Sequence, residues 1–426
     1  MPFRHLATHF SSNLHTMRGS LPNASFLHGF IIQTGKPMAT SHFPTESFQK
    51  QRTPFYYYDT NLLRQTLQVI KDETAKHSNY HVHYAVKACT NKKVLSIIAG
   101  AGLGADCVSG GEIKACLDAG FPASSIVYAG VGKADWEIEL GLNAGIQYFN
   151  VESVAELEVI EEIATRLDKT ARVSFRINPN VGAHTHANIT TGLAENKFGI
   201  AMQDMERVIL MAKQMSHIEF VGLHFHIGSQ ILVMDDFHAL AFRINELQDR
   251  LEKQGFEPVK NINVGGGLGI DYQHPDAHPI PDFKSYFDTY ASSLKLRPGQ
   301  ELHFELGRAV VGQCGSLIAR CLYVKQGAHR QFAILDAGMT DLIRPALYDA
   351  YHHIENLTSP AKDNQVYDVV GPICESSDVF MRDCQLPVTS RGDLLALRSA
   401  GAYGEIMASS YNCRPLPMGY TTEDFA

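Results

Sequence analysis

No apolar run in the chain approaches the roughly 18 residues that a membrane-spanning helix needs. Blocks of lysine and arginine are also missing, and the formal net charge is -8. Together these argue against a membrane, and against nucleic acid or an anionic surface, as the main partner. The eight cysteines contain no Cys-x-x-Cys pair and no tight spacing. In a chain of 426 residues that disfavours a zinc module and a disulfide framework, and reduced thiols in a cytoplasm are expected. Residues 1–45 lack aspartate and glutamate altogether and carry only Arg4, Arg18 and Lys36 as cations. Two explanations are open, a targeting segment with sparse cations or a mis-assigned start with Met38 as initiator. Either way residues 1–45 are expected to be a poorly ordered extension outside the fold.

What is present is a rhythm. From Tyr56 onward short apolar or β-branched runs alternate with helical patterns, which predicts strands near 81–87, 103–108, 125–129, 147–151, 171–177, 219–227, 261–264 and 301–305. Ser109 to Glu112 and Ser153 to Glu156 fit the Ser-x-x-Glu box that opens a helix. Eight strands alternating with helices predict a (β/α)8 barrel of the TIM type, with a doubly wound open sheet as the alternative. The barrel is favoured because Lys87, Asp106, Asn178, His226, Gly265–Gly267 and Glu305 all fall at or just past the C-terminal ends of different strands, where barrel enzymes build their sites. Beyond about residue 315, short runs joined by Gly, Pro and Asp turns predict a mostly antiparallel β domain, with a helix only near Tyr348 to Ile354. The expected division is a strand within 46–58 that joins this β domain, a barrel over 59–312, and the β domain proper over 313–426.

Four strand ends carry chemistry. Lys87 closes a run in which Val82, Tyr84 and Val86 alternate; taken locally it is either a snorkelling surface amine or an amine held for reaction. Gly265, Gly266 and Gly267 follow the seventh strand, where consecutive glycines can turn N–H groups toward a phosphate, or merely make a tight turn. His224 and His226 share one side of the sixth strand and would suit zinc if Asp106, Glu305, His184 or His186 joined them. Glu305 and Arg308 end the eighth strand. They read as a structural ion pair, or, with Lys87 and a phosphate loop, as the carboxylate and lysine that pyridoxal phosphate requires.

The chain also resembles the diaminopimelate decarboxylases, barrel-type pyridoxal phosphate enzymes of the alanine-racemase-like fold that are related to ornithine and arginine decarboxylases. The likeness rests on Tyr84-Ala85-Val86-Lys87-Ala88, Asp106 to Glu112, His226 to Gln230, Gly265-Gly266-Gly267, Glu305 to Arg308, Arg344 to Tyr348, Gly371 to Asp378 and Gly401 to Gly404. These motifs run in order over about residues 53 to 418, and Phe225 and Leu306 are mild departures.

The resemblance implies a homodimer with active sites at its interface, acting on a small amino acid: decarboxylation of meso-2,6-diaminopimelate to L-lysine and CO2, the last step of lysine biosynthesis. By similarity Lys87 would be the Schiff-base lysine, His226 would stack on the cofactor ring and Glu305 would meet its pyridine nitrogen. Asp106 would belong to the cofactor site, and Ser229, the Gly265–Gly267 run and Tyr403 would receive the phosphate. Arg308, Arg344, Tyr348 and Tyr403 would face the substrate. Cys374, as proton donor, and Glu375 would come from the partner subunit. A decarboxylase for carboxynorspermidine or arginine is the nearer alternative, and a zinc hydrolase the more distant one.

Overall fold

The computed structural model describes residues 43–182 and 197–426. The extension up to residue 42, and His184 and His186, lie outside the described residues. Seventeen strands are found among them. They are β1 (Phe55–Tyr58), β2 (Tyr80–Ala85), β3 (Gly104–Cys107), β4 (Ile126–Tyr128), β5 (Tyr148–Val151), β6 (Ala171–Asn178), β7 (Ile200–Ala201), β8 (Ile218–His224), β9 (Asn261–Asn263), β10 (Glu301–Leu306), β11 (Gly315–Gln326), β12 (Gln331–Leu335), β13 (Ile354–Asn356), β14 (Asn364–Val370), β15 (Val379–Pro387), β16 (Leu394–Leu397) and β17 (Met418–Thr421).

Eight of these close a parallel barrel in the order β5-β4-β3-β2-β10-β9-β8-β6, with β5 returning to β6. All eight expected strands are present. Their near-continuous burial explains why they read as apolar runs, since barrel strands face packed side chains on both surfaces. The two Ser-x-x-Glu helix starts also form. Oγ of Ser109 accepts from the Glu112 N–H and Oγ of Ser153 from the Glu156 N–H, while each glutamate reaches one residue further back, to the N–H of Val108 and of Glu152.

The lower half of the barrel is filled in an unusual way. His83 of β2 and His303 of β10 are buried, with Nε2 of His83 2.9 Å from Nδ1 of His303. Nδ1 of His83 lies 3.2 Å from the Ser125 carbonyl, which can only accept, so that nitrogen carries the hydrogen. Both rings are therefore neutral links in one N–H···N chain.

The second sheet runs β13-β16-β11-β12-β14-β15, and β1 joins it by pairing antiparallel with β11 and parallel with β17. Most of its pairings are antiparallel. The helix expected near Tyr348 to Ile354 is instead Arg344–Tyr348, ended by Asp349 in the left-handed region at φ 50°. Among the described residues no helix is long and apolar enough to cross a membrane.

Candidate active site

A cavity of about 1040 Å³ opens at the C-terminal end of the barrel. Its lining includes Lys87, Asp106, His226, Ser229, Glu305, Arg308, Arg344, Tyr348 and Tyr403. Nine of the residues singled out in the sequence thus meet in one place, although they span more than 300 positions of chain.

Lys87 does not close β2 as expected. The strand ends at Ala85 and the lysine sits in a single turn, Val86–Ala88, in which the Cys89 N–H returns to the Val86 carbonyl at 3.1 Å. That turn lifts the side chain off the sheet and into the cavity, where it stays 42% exposed with Nζ 3.7 Å from Oδ2 of Asp106 on β3. Burial works to lower the Lys87 pKa, but the opposing fields of Asp106, Tyr403, Glu305 and Glu112 win and hold it above the ordinary lysine range. Asp106 is buried and neither of its oxygens has a hydrogen-bond partner. Burial and the nearby Glu305 press its carboxyl upward, and Lys87 pulls it back.

Glu305 near the end of β10 is gripped from three other strands. Oε1 accepts from Nδ2 of Asn150 on β5 at 3.2 Å and from Nδ2 of Asn263 on β9 at 2.8 Å. Oε2 lies 3.0 Å from Nε2 of His224, the last residue of β8. Burial acts to raise the pKa of this carboxyl, but His224, Lys87 and His226 hold it well below the usual range, so it is ionised at neutral pH. The local reading of a Glu305–Arg308 ion pair therefore fails, because each side chain has other partners. Among the described residues no group of three or more His, Cys, Asp and Glu could hold a metal ion. Burial, then the Arg176 and Lys87 cations, push His226 well below its ordinary value, and its Nδ1 accepts the Gly266 N–H at 3.2 Å.

The glycine run serves close approach. A Cβ on Gly266 would stand 1.8 Å from the Glu305 carbonyl oxygen, and Gly265 and Gly267 have φ of 68° and 108°. Contrary to expectation, two of the three N–H groups are spent inside the protein, that of Gly265 on Oδ1 of Asn263 and that of Gly266 on His226. Gly267 lies with Ser229, Arg308 and Tyr403 around a smaller recess beside Lys87. Tyr403 arrives from the β domain, its N–H donating to the Ala88 carbonyl at 2.8 Å.

Cys374 and Glu375 are not brought to this cavity. Both are exposed on the β domain, and Oε1 of Glu375 accepts from the Tyr411 hydroxyl at 2.8 Å. Conversely, the sequence reading missed Asn150, Asn263, Arg176, Tyr272 and His352. The first three were detectable as polar residues inside runs read as apolar strands. Arg176 on β6 lines the cavity, with Nη1 on Oε1 of Glu152 at 3.1 Å and its guanidinium over the Phe198 ring.

Residues 62–312 match the family model described as the pyridoxal binding domain of pyridoxal-dependent decarboxylases. Over 382 residues the chain is 68% identical to a diaminopimelate decarboxylase of Bacteroides thetaiotaomicron, covering 90% of this chain and 98% of that one. It is 42% identical over 381 residues to the Helicobacter pylori (strain J99) enzyme of that name, covering 89% and 92%. The crystal structure of the Helicobacter pylori diaminopimelate decarboxylase complexed with L-lysine superposes with a TM-score of 0.83 at 40% identity, covering 89% of this chain and 94% of that one. Barrel, second sheet and cavity thus coincide with sequence identity over nearly the whole described chain, and the chain belongs to the diaminopimelate decarboxylase family of pyridoxal-dependent enzymes.

Proposed function

We propose that the chain decarboxylates meso-2,6-diaminopimelate to L-lysine and CO2, with pyridoxal phosphate bound in the cavity above the barrel. The observation that carries this is the pairing, in that one cavity, of a lysine–aspartate couple with an ionised, triply held glutamate. The donor set suits the cofactor. Asp106 has two buried oxygens without hydrogen-bond partners, His226 is neutral, and a recess beside Lys87 is lined by Ser229, Gly267 and Tyr403. When bound, pyridoxal phosphate supplies an aldehyde that takes up an amine and a ring that accepts the electron pair left as CO2 departs.

The protein's part follows from its own groups. Lys87 would hold the aldehyde, and Asp106, 3.7 Å away with its carboxyl pressed upward, is placed to take the proton that the amine must shed. Glu305, being ionised, would face the ring nitrogen and hold a proton there. His226, which lines the cavity, would stack on the ring. Ser229, Gly267 and Tyr403 would receive the phosphate, while Gly265 and Gly266 let the loop lie against the Glu305 backbone. Arg308, Arg344 and Tyr348 hold the substrate carboxylate at the end away from the reacting D-configured carbon, a task suited to the guanidinium fork. Cys374 and Glu375, exposed and outside this cavity, come from the second copy in a homodimer, with Cys374 returning the proton that replaces CO2. Eight free cysteines, six of them buried, accord with work in the reducing cytoplasm.

The test is lysine release from meso-diaminopimelate by purified protein. Turnover of arginine or carboxynorspermidine with none of meso-diaminopimelate would overturn the substrate assignment. Lys87→Ala is expected to abolish cofactor trapped by borohydride, and a variant still trapping it at wild-type yield would remove Lys87 from its role.

A further inference from the structure

Arg308 and Arg344 are both about 6% exposed, and neither has a carboxylate partner among the described residues. Buried cations ordinarily come with a counter-charge, because an uncompensated charge away from water is expensive. Here every partner is neutral. Nη1 of Arg308 and Nη1 of Arg344 both donate to the same phenol oxygen, that of Tyr272, at 2.5 and 3.0 Å. Nη2 of Arg308 donates to Oγ of Ser229 at 3.0 Å. The second hydrogen on Nη1 of Arg344 goes to Nε2 of His352 at 3.0 Å.

His352 can accept because its tautomer is set from the other side. Its Nδ1 lies 2.9 Å from the Arg398 carbonyl, which has no hydrogen to give, so Nδ1 carries the proton and Nε2 presents a lone pair. Burial first, then the Arg344 cation, push this imidazole down to about 3, which keeps it neutral at any working pH. The Tyr272 ring completes the frame. It packs edge-on against His352 at 5.3 Å and lies under both guanidinium groups. Burial and then Arg308 press Arg344 below the ordinary arginine range, whereas against burial Tyr272 and Tyr403 hold Arg308 above it.

We infer that Tyr272 and His352 are positioning residues that hold Arg308 and Arg344 as a pair with no carboxylate partner among the described residues, so that no such carboxylate competes with the substrate's for the pair. This rests on the proposed function, in which those arginines read the far carboxylate. Tyr272 spends both lone pairs on the two guanidinium groups and keeps its own hydrogen for the ligand, while His352 fixes the Arg344 fork by one edge and leaves Nη2 and Nε to bind. A carboxylate in place of His352 would hold Arg344 equally well but would quench its charge. That separates a device for preserving charge from one for mere anchoring.

The experiment is steady-state kinetics of holoenzyme on meso-diaminopimelate, with the visible absorbance of bound cofactor as the loading control. Tyr272→Phe and His352→Leu are expected to raise KM about tenfold or more with kcat changed far less, since bonds to charged groups are lost on the binding side only. His352→Gln, which keeps a neutral acceptor near Nε2, should recover most of the loss, whereas His352→Glu should not. If His352→Leu fails to fold, the Gln and Glu variants still decide. KM within twofold of wild type in loaded Tyr272→Phe and His352→Leu, or equal KM for the Gln and Glu variants, overturns the inference. Absence of lysine release by the unaltered enzyme would instead remove the function on which it rests.

Discussion

At the residue scale, the cavity and the barrel floor treat titratable groups in opposite ways. Above, Glu305 is kept ionised by three donors from other strands, and Lys87 is kept above its ordinary range by carboxylates. Below, the His83–His303 pair is kept neutral. Burial lowers His83 from 6.5 to about 4, against smaller upward pulls from Glu305 and the Ser125 carbonyl, with His81 adding to the lowering. The folded form therefore binds its proton later than the unfolded chain does. The resulting stability is complete above pH 6.5 and is lost as pH falls toward 4, by up to about 3 to 4 kcal/mol at roughly 1.4 kcal/mol per unit. Denaturant titrations at pH 7 and pH 4.5 measure the difference, and His83→Gln should flatten that part of the profile. An unchanged slope in the variant would place the acid sensitivity elsewhere. No spacing rule announced this pair. His83 and His303 lie 220 residues apart, and only the β2–β10 ladder puts them in contact.

At the element scale, the strand ends decide where chemistry sits, and they do so through backbone clearance as much as through side chains. Gly266 shows this. Its Cα passes so close to β10 that a methyl group would lie 1.8 Å from the Glu305 carbonyl. Gly266→Ala must push the loop off β10, and is expected to destabilise by at least ~2 kcal/mol and to weaken cofactor retention, since Glu305 and His226 both shift. A thermal melt with a cofactor-release assay reads both effects, and wild-type values in both would show that the contact yields freely. The eight barrel strands were legible because strands buried on both faces must be apolar. The strands β13, β15 and β17 were not. β15 carries Arg382, Asp383 and Gln385 on an exposed side, and β17 is held in place by β1, more than 350 positions earlier in the chain.

At the scale of the whole molecule, the cavity of a single chain holds Lys87 but neither Cys374 nor Glu375. If a second copy supplies them, each working site joins Lys87 of one subunit to Cys374 of the other. Mixing Lys87→Ala with Cys374→Ala after dissociation and reassociation should then recover activity, because each mixed dimer has one site with both residues intact. Random pairing gives roughly a quarter of the wild-type rate. No recovery, with mixed dimers shown to form, would place both residues in one subunit's site.

The sequence by itself determined the barrel, the order of its strands and the chemical character of its strand ends, because alternation, glycine runs and isolated polar residues are local consequences of strands packed on both faces. It also carried the family motifs, and hence the reaction. The tertiary structure decided what those groups are. It turned Lys87 off its strand, gave Glu305 to His224, Asn150 and Asn263 rather than to Arg308, spent two glycine N–H groups internally, and set two arginines around one tyrosine. These are contacts between distant strand ends and loops, fixed by how the barrel closes and how the β domain sits above it. A pattern read along the chain records which residues are buried, whereas protonation states and hydrogen-bond partners depend on what each is buried against.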